Sequence, residues 1–112
     1  LQNPTHQRVY RMFAKEFKPV HDIAPLLGIK VNTVRAYLMD FHLGGKIDMR
    51  PHIDEWLNSQ TLFRITEYFR VQPEAEIQEA ARDLRIPYIF ALMGKTYLMD
   101  TTAAPAVKLQ LA

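Results

Sequence analysis

Four residues within a span of six carry the side chains most suited to reading nucleic acid: Lys30, Asn32, Thr33 and Arg35. An Asn amide can pair with the edge of adenine, an Arg fork with guanine or phosphate, and a Thr hydroxyl with either. Lys46 and Arg50 follow at positions suited to phosphate contacts. At 100° per residue, Asn32, Arg35, Ala36 and Met39 fall on one side of a helix, opposite Val34, Tyr37, Leu38 and Phe41. The candidate contact set is therefore Lys30, Asn32, Thr33, Arg35, Met39, Lys46 and Arg50. Ala36 and Met39 add no charge, and Asp40 repels phosphate. The expected binding is thus weak and led by phosphate contacts, in the non-specific range of about 10⁻⁴ to 10⁻⁶ M.

Other chemistry finds little support. Gly94-Lys95-Thr96 matches the end of a phosphate-binding loop, but that loop needs a glycine five residues earlier, where Ile89 stands. His6, His21, His42 and His52 have no metal-ligand spacing. Asp54 and Glu55 are adjacent, so a helix aims them in different directions and they form no acid–base pair. Trp56, Phe63, Tyr68 and Phe69 can stack on bases, but their helical spacing suits a core. No catalytic, metal or cofactor site is expected.

The candidate residues need a frame, and two short helices joined by a tight turn supply one across residues 22–41. Close crossing requires a small residue, and Ala24 fits; the turn requires a left-handed backbone, which Gly28 adopts without steric cost. Ile23, Leu27, Ile29, Val34, Tyr37 and Leu38 line the inner faces. The spacing predicts a helix over Val20–Leu27 and another over 31–42, stopped by Gly44-Gly45. Pro25 would cost about 3 kcal/mol inside a helix, which predicts a late start near Asp22 or a kink.

Upstream, Asn3-Pro4 is a helix start, and Val9, Met12, Phe13 and Phe17 mark an apolar face that ends at Pro19. Arg8, Arg11, Lys15 and Lys18 form a basic stripe behind it, which by itself reads as a solvated face. Downstream, residues 53–59, a pattern through Leu62, Ile65 and Phe69, a segment opened by Pro73 and another opened by Pro87 all read as helices. Ile23-Ala24, Leu27 and Ile29 are echoed about 57 residues later by Ala80-Ala81, Leu84 and Ile86, with Arg85 in place of the turn glycine. The echo reads as a degenerate second helix-turn-helix, structural rather than DNA-reading. The expected fold is all-α, a helix-turn-helix (winged-helix-like) bundle. Residues 1–50 form the helix-turn-helix half, 51–100 a trailing helical half packed on it as one domain, and 101–112 a loosely ordered tail.

Composition bounds the rest. The chain has 112 residues, 48% of them hydrophobic, and no cysteine, so it has neither disulfide nor thiolate metal site. No apolar run approaches the ~20 residues of a membrane helix. The net charge of +2 is uneven. Residues 1–50 hold eight Lys or Arg against four acids, and residues 51–112 hold six against eight. The front half is suited to a polyanion and the back half is not. The chain starts Leu1-Gln2-Asn3, without an initiator Met, and is expected to be a piece of a longer protein.

The run Asp22-Ile23-Ala24, Leu27-Gly28-Ile29, Asn32-Thr33-Val34, Tyr37-Leu38 and Gly45-Lys46-Ile47-Asp48 resembles the C-terminal helix-turn-helix domain of bacterial RecQ-type DNA helicases. The similarity spans about residues 4–98, with Tyr37 where that family usually has His and with Pro25 added. It implies an accessory DNA-binding domain of an ATP-dependent 3′-to-5′ helicase acting in recombination and repair. ATP and Mg would belong to motor domains outside this chain. DNA and other domains of the parent would be its partners, and the domain would be a monomer in the cytoplasm at the bacterial nucleoid. Two alternatives remain. One is a stand-alone transcription regulator, which would need a dimer to read two half-sites. The other is a protein-interaction module with Ala36, Met39 and Leu43 in an apolar contact surface.

Overall fold

Seven α-helices and one π-helical turn account for the elements of the computed structural model, which describes the backbone of residues 4–111 and the side chains of residues 4–99. The protein is all-α. Among the described residues there is no strand, so nothing forms a wing beside the helices. No helix among them is long and apolar enough to cross a membrane. The chain divides into two compact units, Leu1–Met49 and Arg50–Ala112, against an expected division after residue 50.

In the first unit, α1 (Pro4–Tyr10) runs into the π-helical turn Arg11–Lys15. Asn3, expected as the cap, lies outside the described residues. The wide turn is closed by Glu16 N–H to Arg11 O at 3.1 Å and Lys18 N–H to Met12 O at 2.9 Å. A widened turn adds a residue to the ladder and rotates whatever follows off the original face. Phe17 therefore does not continue the apolar face of Val9. It is 84% exposed, with a left-handed φ of 58°.

Helix α2 (Val20–Leu27) buries Val20, Ile23 and Ala24. It does not start late. Asp22 and Ile23 N–H already bond Pro19 O, and Pro25 sits inside the helix. Pro25 is only three residues from the end at Gly28, so little helix follows it. Helix α3 (Val31–Leu43) packs on both α1 and α2, burying Val34, Leu38, Met39 and Phe41.

In the second unit, α4 (Arg50–Trp56) buries Ile53. Helix α5 (Ser59–Val71) is capped by Asn58, whose Oδ1 accepts from Thr61 N–H at 2.8 Å. Leu62, Ile65, Thr66 and Phe69 are its buried face. Helix α6 (Ile77–Leu84) starts four residues after Pro73, which the sequence reading placed at its opening. Its start is set instead by Glu76, whose N–H donates to Glu79 Oε1 at 3.2 Å.

Helix α7 (Tyr88–Leu111) packs on α4, α5 and α6. The backbone of residues 101–111, expected as a loosely ordered tail, is helical. Gly94 lies where α7 meets α5, and a Cβ there would come within 2.2 Å of Ile65 Cγ2. Gly94 is thus a point of close helix approach, not part of a phosphate loop. Lys95 beside it donates to Ala75 O at 3.3 Å and lies 5.0 Å from the Phe69 ring centroid.

The 57-residue echo extends to the elements. Helices α2 and α6 are each eight residues long, each is followed by a three-residue connection, and the next helices begin at Val31 and Tyr88. In each unit the helix after the connection packs on the helices before it, α3 on α1 and α2 and α7 on α4, α5 and α6. The connections close alike. Ile29 N–H bonds Ala24 O at 3.0 Å and Gly28 N–H bonds Pro25 O at 3.3 Å. Ile86 N–H bonds Ala81 O and Arg85 N–H bonds Arg82 O at the same two distances. Both are Schellman closures with a left-handed residue, Gly28 at φ 67° and Arg85 at φ 56°.

Candidate nucleic-acid interface

The start of α3 collects four of the candidate residues. Lys30 occupies the N-cap position with extended backbone, and its carbonyl accepts from Thr33 and Val34 N–H at 3.0 and 3.1 Å. Its side chain makes no capping bond, so the ammonium stays at the exposed helix start. Thr33 is half-buried and Asn32 exposed. Ala24, the small residue at the expected crossing, is buried at 4% exposure.

Arg35 is half-buried, and its Nη1 donates to Asn32 Oδ1 at 2.9 Å. Burial lowers the guanidinium pKa from its ordinary value. The bond has a consequence for base reading. A bidentate contact to adenine uses both the oxygen and the nitrogen of the Asn amide, and Asn32 Oδ1 is engaged by Arg35. Asn32 and Arg35 are therefore a joined pair that would meet a base together. Sequence alone gave no notice of this, although an Asn three residues before an Arg on one helix face is the pattern that permits it.

Met39 does not belong to the interface. It is 0% exposed. It follows Leu38 at the margin of the apolar stripe, and that margin lies inside the core. Lys46 is exposed beyond the end of α3, where its N–H bonds Phe41 O at 2.9 Å. A helix of 13 residues is about 20 Å long, so Lys30 and Lys46 mark opposite ends of α3. Arg50 opens α4 in the second unit, not the element that carries the rest of the set.

Charge in the first unit is sorted by its ion pairs. Glu16 takes up two members of the basic stripe, Arg11 at 3.5 Å and Lys18 at 3.7 Å. Asp40 makes a hydrogen-bond contact with His6, Nε2 to Oδ2 at 3.2 Å. Lys30 and Lys46 have no acidic partner among the described residues. Both ends of α3 thus carry an exposed, uncompensated ammonium.

The second unit holds a cleft of about 250 Å³ lined by Asp54, Ser59, Leu62, Phe63, Arg70 and Tyr97. Among the described residues no group of His, Asp or Glu is placed to hold a metal ion. Tyr68, one of the aromatics weighed for base stacking, donates to Asp83 Oδ2 at 2.7 Å, and Phe69 is buried. Phe63 is 61% exposed. Comparison with protein-family models, curated proteins and solved structures finds no match for this chain.

Proposed function

We propose that the chain is an accessory DNA-binding domain in which α2, the Gly28 turn and α3 act as a helix-turn-helix. The observation that carries this reading is the exposed Lys30 at the start of α3, directly after a Gly28 closure over the buried Ala24. In a helix-turn-helix, the start of the second helix is the part that enters the major groove. Lys30 and Lys46 supply the phosphate contacts, Thr33 reaches a base or phosphate, and Asn32 with Arg35 gives a limited base preference. With so few cations the binding is weak and strongly salt-dependent. The resemblance to RecQ-type helicases makes a DNA-unwinding, ATP-dependent parent enzyme the proposed setting.

The test is fluorescence anisotropy with labelled duplex, forked and single-stranded DNA over a salt series, for the wild type and for Lys30→Gln with Lys46→Gln. Micromolar affinity that weakens with salt and drops in the double variant is expected. Absence of binding at low salt would end the DNA-binding reading. A second reading then takes its place, a protein-interaction module, favoured by the exposure of Leu26 and Leu43 at 60% and 63% in the same unit.

A further inference from the structure

The second unit carries a cation cluster of its own at the turn that corresponds to the Gly28 turn of the first. Arg64, on α5, reaches the end of α6, where its Nη2 donates to Leu84 O at 3.3 Å. Arg82 lies in the last turn of α6 with its side chain 74% exposed. Arg85 is the turn residue itself, exposed and without a charged partner among the described residues. Two acids lie near them. Asp83 lies 3.5 Å from Arg82 and accepts from the Tyr68 hydroxyl. Glu79, one turn earlier, accepts from Glu76 N–H, and its charge reaches the Tyr68 phenol as that of Asp83 does. Three guanidiniums against two carboxylates leave the turn positive, in a half of the chain that is otherwise acidic.

The helix dipole favours cations at this end of α6, but carbonyl capping does not require Arg82 or Arg85. Of the last four carbonyls of α6, Ala81 and Arg82 accept the Schellman bonds and Leu84 accepts from Arg64. Nor does backbone preference account for Arg85. A left-handed residue is strained unless it is glycine, and the equivalent position in the first unit is Gly28. An arginine here forgoes the easier backbone and gains an exposed fork matched to phosphate oxygens.

We propose that Arg64, Arg82 and Arg85 form a second phosphodiester-binding surface, so that each of the two units contributes its own contacts to the nucleic-acid backbone. The proposal rests on the DNA-binding reading above and extends it to the unit whose net charge argued against a polyanion.

The test uses the full chain, with anisotropy on a labelled duplex across a salt series. The variants are Arg82→Gln with Arg85→Gly, and separately Lys30→Gln with Lys46→Gln. Glycine at 85 copies the residue of the first unit's turn, so the fold is expected to persist, and thermal unfolding checks that it does. If both arginines meet phosphates, the slope of log K against log salt shrinks by about 1.8, and affinity near 0.1 M salt falls at least about tenfold. A folded arginine variant with unchanged slope and affinity overturns the second surface. A drop confined to the arginine variant sustains it and removes the lysine site of the first unit. No binding by the wild type at low salt overturns both.

Discussion

The His6 ring stacks on Tyr37 with centroids 3.7 Å apart, and its Nε2 lies 3.2 Å from Asp40 Oδ2. One side chain from α1 thus bridges Tyr37 and Asp40 of α3. The contact fixes the helix that carries the candidate interface, and it engages the acid on α3 that would oppose phosphate. His6→Ala removes a ring stack and a hydrogen bond and is expected to cost about 1–3 kcal/mol. Urea unfolding measures it, and wild-type stability in the variant would show that the brace is idle.

Met39 is a core residue, so its truncation should act on stability and not on affinity. Met39→Ala leaves a cavity and is expected to cost about 2–4 kcal/mol. Below the unfolding temperature, its nucleic-acid affinity should match the wild type.

Gly28 and Arg85 answer the same backbone demand with different residues. A Cβ at Gly28 meets nothing within 4 Å, so Gly28→Ala carries only the conformational cost of a left-handed residue, about 1–2 kcal/mol. Arg85→Gly relieves that cost but loosens the unfolded chain, leaving stability within about 1 kcal/mol of the wild type. Thermal unfolding of both variants separates this from a steric role, in which Gly28→Ala would be far more damaging.

Gly94→Ala tests the approach of α5 to α7. Its Cβ would meet Ile65 Cγ2 at 2.2 Å and Ile65 Cβ at 2.7 Å, which demands movement of the helices. The expected loss is about 3 kcal/mol, the upper end for overpacking. Chemical denaturation reads it, and a shift in midpoint of less than a third of that would mean that the helices part easily.

The Tyr68 phenol has its pKa raised above the ordinary value by its hydrogen bond to Asp83, then by burial and by the negative charges of Asp83 and Glu79, with Arg82 opposing. The folded pKa therefore exceeds the unfolded one. The stability gained from the bond is full below the unfolded pKa and is lost as pH rises through the folded pKa. Ultraviolet titration of the wild type against Tyr68→Phe isolates this phenol. Asp83→Asn should lower its titration point, and an unmoved titration would reject the assignment.

Much of this architecture was legible in the residues. Periodicity located α2 at its observed bounds and α3 to within a residue at its end. Val34, Leu38 and Phe41 are buried, as their shared helix face required. Gly28 takes the left-handed turn. These features are local, because helix period, apolar spacing and glycine's freedom at positive φ act over a few neighbouring residues. The echo near residue 80 was visible for the same reason.

What escaped the sequence depended on partners distant along the chain or on local alternatives of similar energy. The π-helical turn turns Phe17 outward, and nothing in Arg11–Lys15 distinguishes that turn from one more α-turn. Pro25 stays inside α2 because packing of Val20, Ile23 and Ala24 offsets a missing amide. Met39 and Arg35 flank the apolar stripe, and only the surroundings of each decide that one is buried and the other half-buried. The left-handed Arg85 likewise needs the closure of α6 onto Ile86 to hold it. Sequence determined which faces are apolar and where helices stop. Tertiary structure decided how far burial extends past the edges of those faces, because the edge of a stripe is covered or left open by whatever packs against it.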